Sequence, residues 1–130
     1  MEQSLDSRAL EALIASYCAA WNEHDPAQRE RLLHGVWEQD ATYTDPTAHV
    51  VGSVALGEHI GRVQNLYPGA RIVATSAPDA HHLVVRFAWK MVRSDGASLP
   101  ECVDFLELSG DGKIRRVVGF FGPLSPRESP

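Results

Sequence analysis

An aspartate on an otherwise apolar strand face is the first residue of this chain that could do chemistry. Residues 99–108 alternate like a β-strand, which places Asp104 on the same face as Cys102 and Leu106. A carboxyl group in apolar surroundings is costly to ionise, so burial raises its pKa unless a basic group or a donor stabilises the charge. Asp104 is therefore expected to be a buried, protonated acid that can donate a hydrogen bond.

Two Asp-Gly dipeptides define the neighbours of this acid. Residues 94–97 and 110–113 each contain one, and Asp-Gly favours tight hairpins. If each loop has two residues, Phe87 lies opposite Asp104 on one side and Gly119 lies opposite it on the other. Neither partner is basic, so no ion pair across the strands is expected to hold the carboxyl group ionised.

The elements that position these residues follow from periodicity. Apolar residues at helical spacing predict a first helix over residues 7–22. Asp25-Pro26 predicts the start of a second helix, which carries apolar residues as far as Trp37, and a third helix ends at Pro68-Gly69. Strands are predicted over residues 41–44, 71–76 and 81–93, followed by the two hairpin strands. Helices first and hairpins afterwards indicate an α+β fold, a curved antiparallel sheet with the N-terminal helices covering one face.

Composition restricts the class of protein. The chain has 130 residues and a net charge of −5, so one domain over residues 1–130 is expected, without electrostatic attraction to nucleic acid or to an acidic membrane. The sequence has no signal-peptide pattern and no apolar run of membrane-spanning length. Cys18 and Cys102 are interpreted as lone buried thiols, which are typical of a reducing compartment, so a cytoplasmic protein is expected.

The histidines do not suggest a metal site. His24, His49 and His59 lack metal-ligand spacing such as His-x-x-x-His. His81 and His82 begin a predicted strand, so their rings are expected to face opposite sides. No metal ion is therefore expected.

The face of the sheet away from Asp104 is also apolar. It carries Val103, Phe105, Val118 and Phe120. A sheet that is apolar on both sides needs a second cover, so the sequence predicts a homodimer that packs through this face.

Three segments resemble the nuclear transport factor two-like superfamily. They are residues 16–25 (SYCAAWNEHD), 40–46 (DATYTDP) and 110–114 (GDGKI). The resemblance implies a cone-shaped α+β fold, of the cystatin-like or nuclear transport factor two-like type, with a deep pocket between helices and sheet. The superfamily includes ketosteroid isomerases, limonene epoxide hydrolases and SnoaL-like polyketide cyclases.

Within that superfamily the site resembles ketosteroid isomerase most. The helix-one tyrosine of that enzyme falls on Tyr17, its base before a proline on Asp45, and its protonated acid on Asp104. The epoxide hydrolase and the cyclase patterns fit worse, because Gly119 stands where both place an aspartate. The resemblance therefore implies that Asp45 removes a proton while Tyr17 and Asp104 donate to an enolate oxygen. It implies no cofactor.

Two functions from different classes remain open. One is proton transfer beside the carbonyl of a small hydrophobic molecule, by isomerisation or cyclisation; the other is a non-catalytic dimeric module that binds a small hydrophobic ligand. Both need an apolar pocket, and its predicted wall consists of Trp21, Val63, Phe87, Trp89 and Phe121. Each polar candidate also has a structural interpretation: Tyr17 as a core residue, Asp45 as a turn residue and Asp104 as an acid bonded to a backbone amide or to a basic group from a helix.

Overall fold

The computed structural model describes residues 6–128, in which three helices cover one face of a curved sheet. The elements are α1 (Ser7–Asn22), α2 (Pro26–Val36), β1 (Trp37–Asp45), β2 (Ala48–Val51), α3 (Ser53–Leu66), β3 (Arg71–Ala74), β4 (Asp79–His81), β5 (Val84–Val92), β6 (Cys102–Leu108) and β7 (Ile114–Phe120). The α+β class predicted from the sequence, with helices over one face of a curved sheet, is confirmed. No helix in this range is both long and apolar enough to cross a membrane.

The first helix has the bounds that its periodicity predicts. Its N-terminus is capped by Asp6, whose carboxylate accepts a hydrogen bond from the backbone N–H of Ala9 at 2.8 Å. Its buried positions recur every three or four residues and include Leu10, Ile14 and Tyr17. The hydroxyl group of Tyr17 therefore lies in the interior, because Tyr17 is on the face of α1 that packs on the sheet.

The sheet is antiparallel except for one pair of strands. Its order is β2-β1-β7-β6-β5-β3, with β4 paired to β5. The last strand, β7, runs antiparallel to β6 and parallel to β1. Because β7 pairs with both β1 and β6, it joins β1, which comes from the helical half of the chain, to the hairpin strands.

The second helix ends earlier than the sequence predicts. Trp37 was expected on α2, but it begins β1 and pairs with Ile114 of β7. Pairing with β7 continues to Thr44, so β1 is also longer than the predicted residues 41–44. Contacts with a distant strand override the helical spacing of Trp37, as is common for β-prone aromatic residues.

The predicted strand over residues 81–93 is divided by a tight turn. His82 and Leu83 have φ angles of 48° and 64°, in the left-handed region, and connect β4 to β5. The prediction that the two histidine rings face opposite sides is therefore wrong. The Nδ1 atoms of His81 and His82 lie 3.1 Å apart on the surface, because the turn breaks the strand alternation at this point.

Both Asp-Gly loops contain three residues, one more than the sequence predicts. The N–H of Arg93 donates to the carbonyl of Ala97, and the N–H of Ser109 donates to the carbonyl of Lys113. Each loop has a glycine with a positive φ angle near its end, and an extra residue in the following strand compensates for the longer loop. The register at Asp104 is consequently the predicted one, with Phe87 and Gly119 as its neighbours.

A buried arginine fixes α3 against the end of α1. The guanidinium group of Arg29 donates to the carbonyl of Gly57 at 3.1 Å and to the side-chain oxygen of Gln64 at 2.7 Å. The amide of Gln64 then donates to the carbonyl of Trp21 at 2.9 Å. These bonds satisfy a buried charge with neutral oxygens, and they hold the helix that carries His59 beside the helix that carries Trp21.

The outer face of the sheet is partly exposed. Phe105 is 43% exposed and Phe120 is 56% exposed, and their rings meet edge to face with centroids 5.9 Å apart. Large apolar side chains this accessible are consistent with a surface that another molecule covers. The homodimer itself stays a prediction.

Candidate active site

A cavity of about 640 Å³ lies between α1, α3 and the inner face of the sheet. Its wall is mostly apolar, with a few polar side chains, which is the usual character of a small-molecule site. Every residue that the sequence analysis selected for the site lines it: Tyr17, Trp21, Asp45, Val63, Phe87, Trp89, Asp104 and Phe121.

The two acids of this set lie in one row across the sheet. Asp104 on β6 pairs with Gly119 on β7, and the parallel register Thr44↔Val118 places Asp45 of β1 on the other side of the same glycine. A Cβ atom at Gly119 would lie 2.8 Å from Oδ1 of Asp104 and 3.6 Å from Cβ of Asp45. The absence of a side chain at Gly119 therefore leaves the space that both acids border.

Asp104 is a buried acid with one donor beside it. Its side chain is 4% exposed, and its Oδ1 accepts a hydrogen bond from the indole Nε1–H of Trp89 at 2.9 Å. Burial raises the pKa of Asp104, the Trp89 N–H opposes that rise, and the charge of Asp45 adds to it, so the pKa is about 7. Near neutral pH a large share of this carboxyl group is protonated and can donate.

Tyr17 presents a hydroxyl group that lacks a partner. The residue is 1% exposed, its ring stacks on Trp37 with centroids 6.2 Å apart, and its oxygen has no hydrogen bond to any residue between 6 and 128. Burial, followed by the nearby charge of Asp104, raises the pKa of Tyr17 well above its ordinary value. The group is therefore a neutral donor without an acceptor, which is costly in a protein interior unless a ligand supplies one.

Asp45 is held by several hydrogen bonds. Its Oδ1 accepts from the backbone N–H and the hydroxyl group of Thr47 at 2.7 and 2.8 Å, and its Oδ2 accepts from the hydroxyl group of Tyr43 at 2.5 Å. Burial alone would raise the pKa of Asp45, but the nearby imidazole of His59 and the hydrogen bonds from Tyr43 and Thr47 outweigh this effect and keep the pKa well below its ordinary value. Asp45 is thus an ionised carboxylate and, through Thr47, also a turn residue.

Sequence reasoning missed the three residues around Asp45. Tyr43 lies two positions before Asp45 on β1, so strand alternation could have placed both on one face. His59 was set aside because it lacks metal-ligand spacing, yet it lies one helical turn before Val63 on the cavity side of α3. Nothing in the local sequence pointed to Thr47 beyond its place after Asp45-Pro46.

The SnoaL-like domain family matches residues 14–117, most of the chain. The chain belongs to the SnoaL-like family. No curated protein matches the sequence significantly.

Solved structures that resemble this chain confirm the predicted nuclear transport factor two-like architecture. A proposed isomerase of the SnoaL-like family from Agrobacterium tumefaciens is 30% identical, with a TM-score of 0.84 over 89% of this chain and 99% of that one. A proposed polyketide cyclase from Sinorhizobium meliloti is 16% identical, with a TM-score of 0.68 over 88% and 99% of the two chains. A nuclear transport factor two-like protein of unknown function from Cytophaga hutchinsonii is 15% identical, with a TM-score of 0.65 over 95% and 96%. The last two similarities concern the fold alone.

The SnoaL-like domain therefore has a cavity with separated proton-donating and proton-accepting groups. Tyr17 is a neutral donor and Asp104 is one in its protonated form, whereas Asp45 is an ionised acceptor across Gly119. In the range that the structure covers, no group of three or more His, Cys, Asp and Glu side chains could hold a metal ion. The polar residues that are present suit acid–base chemistry on an uncharged, largely apolar molecule.

Proposed function

We propose that this protein is an isomerase- or cyclase-type enzyme that transfers a proton beside the carbonyl group of a small hydrophobic compound. One observation carries the proposal: the unpartnered hydroxyl group of Tyr17 and the protonated carboxyl group of Asp104 border the same apolar cavity as the ionised Asp45. A carbonyl oxygen is the ligand group that would accept from both donors.

The proposed reaction divides the cavity into two sides. The carbonyl oxygen of the substrate accepts hydrogen bonds from Tyr17 and Asp104, and the neighbouring C–H bond loses its proton to the side that contains Asp45. The electron pair moves onto the oxygen, where each well-placed donor stabilises the developing enolate by about 3 kcal/mol. Return of the proton to another carbon gives an isomer. Attack of the enolate carbon on a second carbonyl group of the same molecule instead gives a ring, and the alkoxide that forms at that group takes up the proton.

The cavity wall supports a hydrophobic substrate. Trp21, Phe87, Trp89, Val63 and Phe121 supply apolar surface, and the rings of Trp89 and Phe121 meet edge to face with centroids 6.3 Å apart. The volume of about 640 Å³ lies in the range typical of small-molecule sites. A bicyclic ketone therefore serves as a reasonable probe.

Replacing Tyr17 with phenylalanine tests the proposal. The expected result is a loss of about 10²–10³-fold in the rate at which 2-tetralone exchanges its α-protons for deuterium, followed by NMR. Binding of 2-naphthol, which resembles the enol of that ketone, should weaken as well. Because the hydroxyl group has no hydrogen-bond partner among residues 6–128, its removal should leave the free energy of unfolding unchanged or raise it.

The outcomes separate the two candidate functions. If Tyr17→Phe exchanges protons more slowly than the wild type without loss of stability, the hydroxyl group of Tyr17 has a role in the reaction and not in folding. If the wild-type protein binds 2-naphthol but exchanges no proton, the enzyme proposal fails and the binding module takes its place. If Tyr17→Phe exchanges protons as fast as the wild type, the carbonyl oxygen is held elsewhere and the proposed arrangement is wrong.

We also propose that a second copy of the chain covers the outer face of the sheet. The apolar patch around Phe105 and Phe120 is flanked by paired charges, since Arg116 lies 3.7 Å from Glu107. Replacing Phe105 with glutamate should give a monomer or an aggregate in light scattering, because it places an unpaired charge in the interface. Leu124→Glu, at a 98% exposed position in the tail, is the control and should not change the mass. A monomeric wild type at micromolar concentration would contradict the proposal.

A reducing compartment, the cytoplasm, remains the proposed location. Cys18 and Cys102 are both free and buried, and both line the cavity. Burial raises the pKa of Cys18 to about 12, and the charge of Asp104 contributes. These thiols are therefore protonated at neutral pH and serve as small apolar wall residues.

A further inference from the structure

We propose that His59 is the base that receives the substrate proton and that Asp45 orients and stabilises it. This inference rests on the proposed function, because it assigns the proton-accepting group of the same site. It differs from the assignment that the resemblance implies, in which Asp45 removes the proton itself.

His59 is enclosed but unsatisfied. The residue is 7% exposed and lines the cavity, and its Nε2 atom has no hydrogen-bond partner in the described part of the chain. Its ring meets Trp21 edge-on, with centroids 5.9 Å apart, and lies 5.7 Å from the ring of Tyr43. An imidazole enclosed by aromatic rings has a fixed orientation, which a group that exchanges protons with a bound substrate requires.

Asp45 places a carboxylate close to this imidazole. Its Oδ2 atom lies 3.8 Å from Nε2 of His59, slightly beyond hydrogen-bond length. A protonated imidazole at this distance would form an ion pair with the carboxylate. Asp45 therefore stabilises the form of His59 that exists after proton transfer, as a buried carboxylate does for the base of a catalytic triad.

The hydrogen bonds of Asp45 argue against its being the base. A carboxylate offers about four acceptor positions, and Thr47 and Tyr43 occupy three of them. To take a proton from carbon, the carboxylate would have to give up one of these bonds or turn away from His59. Donors that stabilise the ionised form also make it a weaker proton acceptor. The hydrogen bonds from Tyr43 and Thr47 also fix the orientation of the Asp45 carboxylate, which it needs in order to hold His59 in place.

The proposed step is balanced. The C–H bond beside the carbonyl group breaks, its electron pair forms the enolate, and a new N–H bond forms on the imidazole of His59. In the proposed tautomer the hydrogen of the neutral ring is on Nε2, 3.8 Å from Oδ2 of Asp45, so the other ring nitrogen, Nδ1, accepts the substrate proton. The imidazolium then returns this proton to a carbon of the enolate, and no oxidant or cofactor takes part.

Two substitutions at His59 distinguish a base from a positioning residue. Glutamine can still donate a hydrogen bond to Asp45 but cannot accept a proton at neutral pH, whereas alanine can do neither. If His59 is the base, both variants should lose about 10²–10⁴-fold in α-proton exchange of 2-tetralone. Added imidazole should restore part of the rate in His59→Ala, in proportion to its concentration, because the deleted ring leaves space for it. Circular dichroism and thermal unfolding establish that each variant is folded.

A matched substitution controls for general effects of losing a histidine. His34 lies exposed on α2 and does not line the cavity, so His34→Ala should exchange protons at the wild-type rate. Near wild-type exchange in His59→Gln would overturn the inference, since a donor alone would then suffice. Loss in both His59 variants without rescue by imidazole would overturn it as well, in favour of a positioning role.

The experiment also distinguishes this inference from the proposed function. If the wild type exchanges protons, Tyr17→Phe is slow and His59→Gln is fast, then the proposed function stands and Asp45 is the base. If the wild type exchanges none, the proposed function fails and the assignment of His59 fails with it.

Discussion

Replacing Asp45 with alanine is expected to reduce α-proton exchange of 2-tetralone by about 10²–10⁴-fold. Of the two acids that border Gly119, Asp45 is the ionised one. Its carboxylate lies 3.8 Å from Nε2 of His59. Whether it takes the proton itself or stabilises a protonated His59, its negative charge is required when the C–H bond breaks. Deuterium exchange at saturating and at low ketone concentration should place the loss mainly in kcat, because this charge acts in the transition state.

Stability must be measured alongside this loss of rate. Alanine leaves the hydroxyl group of Tyr43 and the N–H of Thr47 without their acceptor, so the free energy of unfolding should fall by about 1–3 kcal/mol. Asp45→Asn is the better variant, since it keeps an oxygen acceptor and the shape of the side chain but carries no charge. Asp79→Asn, at an exposed acid paired with Arg86, is the control for a lost carboxylate. Wild-type exchange in Asp45→Asn would contradict a role for the charge.

Much of the framework could be predicted because it depends on local pattern. The bounds of α1 follow from helical spacing. The neighbours of Asp104 follow from alternation and from two Asp-Gly loops, even though each loop has one residue more than expected. The extra loop residue did not change the pairing at Asp104, because a bulge in the following strand compensates for it. The burial of one sheet face constrains the register more strongly than the turn does.

The missing parts of the site depend on contacts between distant segments. The parallel pairing of β1 with β7 places Asp45 beside Gly119, and no local sequence pattern predicts this pairing. His59 reaches Asp45 only because α3 packs over β1, with Arg29 holding that helix in place. The three hydrogen bonds that Asp45 accepts could not be foreseen either, and they are the reason for proposing that Asp45 supports a base instead of acting as one.

Asp104→Asn is expected to abolish a steep pH dependence of stability. The pKa of Asp104 is about 7 in the folded protein and 3.8 in its ordinary, unfolded surroundings. Between these values the folded state keeps a proton that the unfolded state has lost, so the free energy of unfolding falls as the pH rises from about 4 to about 7. The difference corresponds to about 4 kcal/mol over this range. Asp45 acts in the opposite direction, but its lowered pKa confines its effect to more acidic solution.

Urea unfolding of the wild type and of Asp104→Asn at pH 4 and at pH 8 measures this effect. The variant should be close to the wild type in stability at pH 4 and more stable than it by up to about 4 kcal/mol at pH 8, because an amide in this position has no charge to bury. Its N–H can still donate to the enolate oxygen, so Asp104→Asn should keep much of the exchange activity that Asp104→Leu would lose. Parallel stability profiles for the wild type and the asparagine variant would mean that Asp104 is ionised in the folded protein. The carboxyl group would then repel an enolate instead of stabilising it, and the donor role of Asp104 would have to be abandoned.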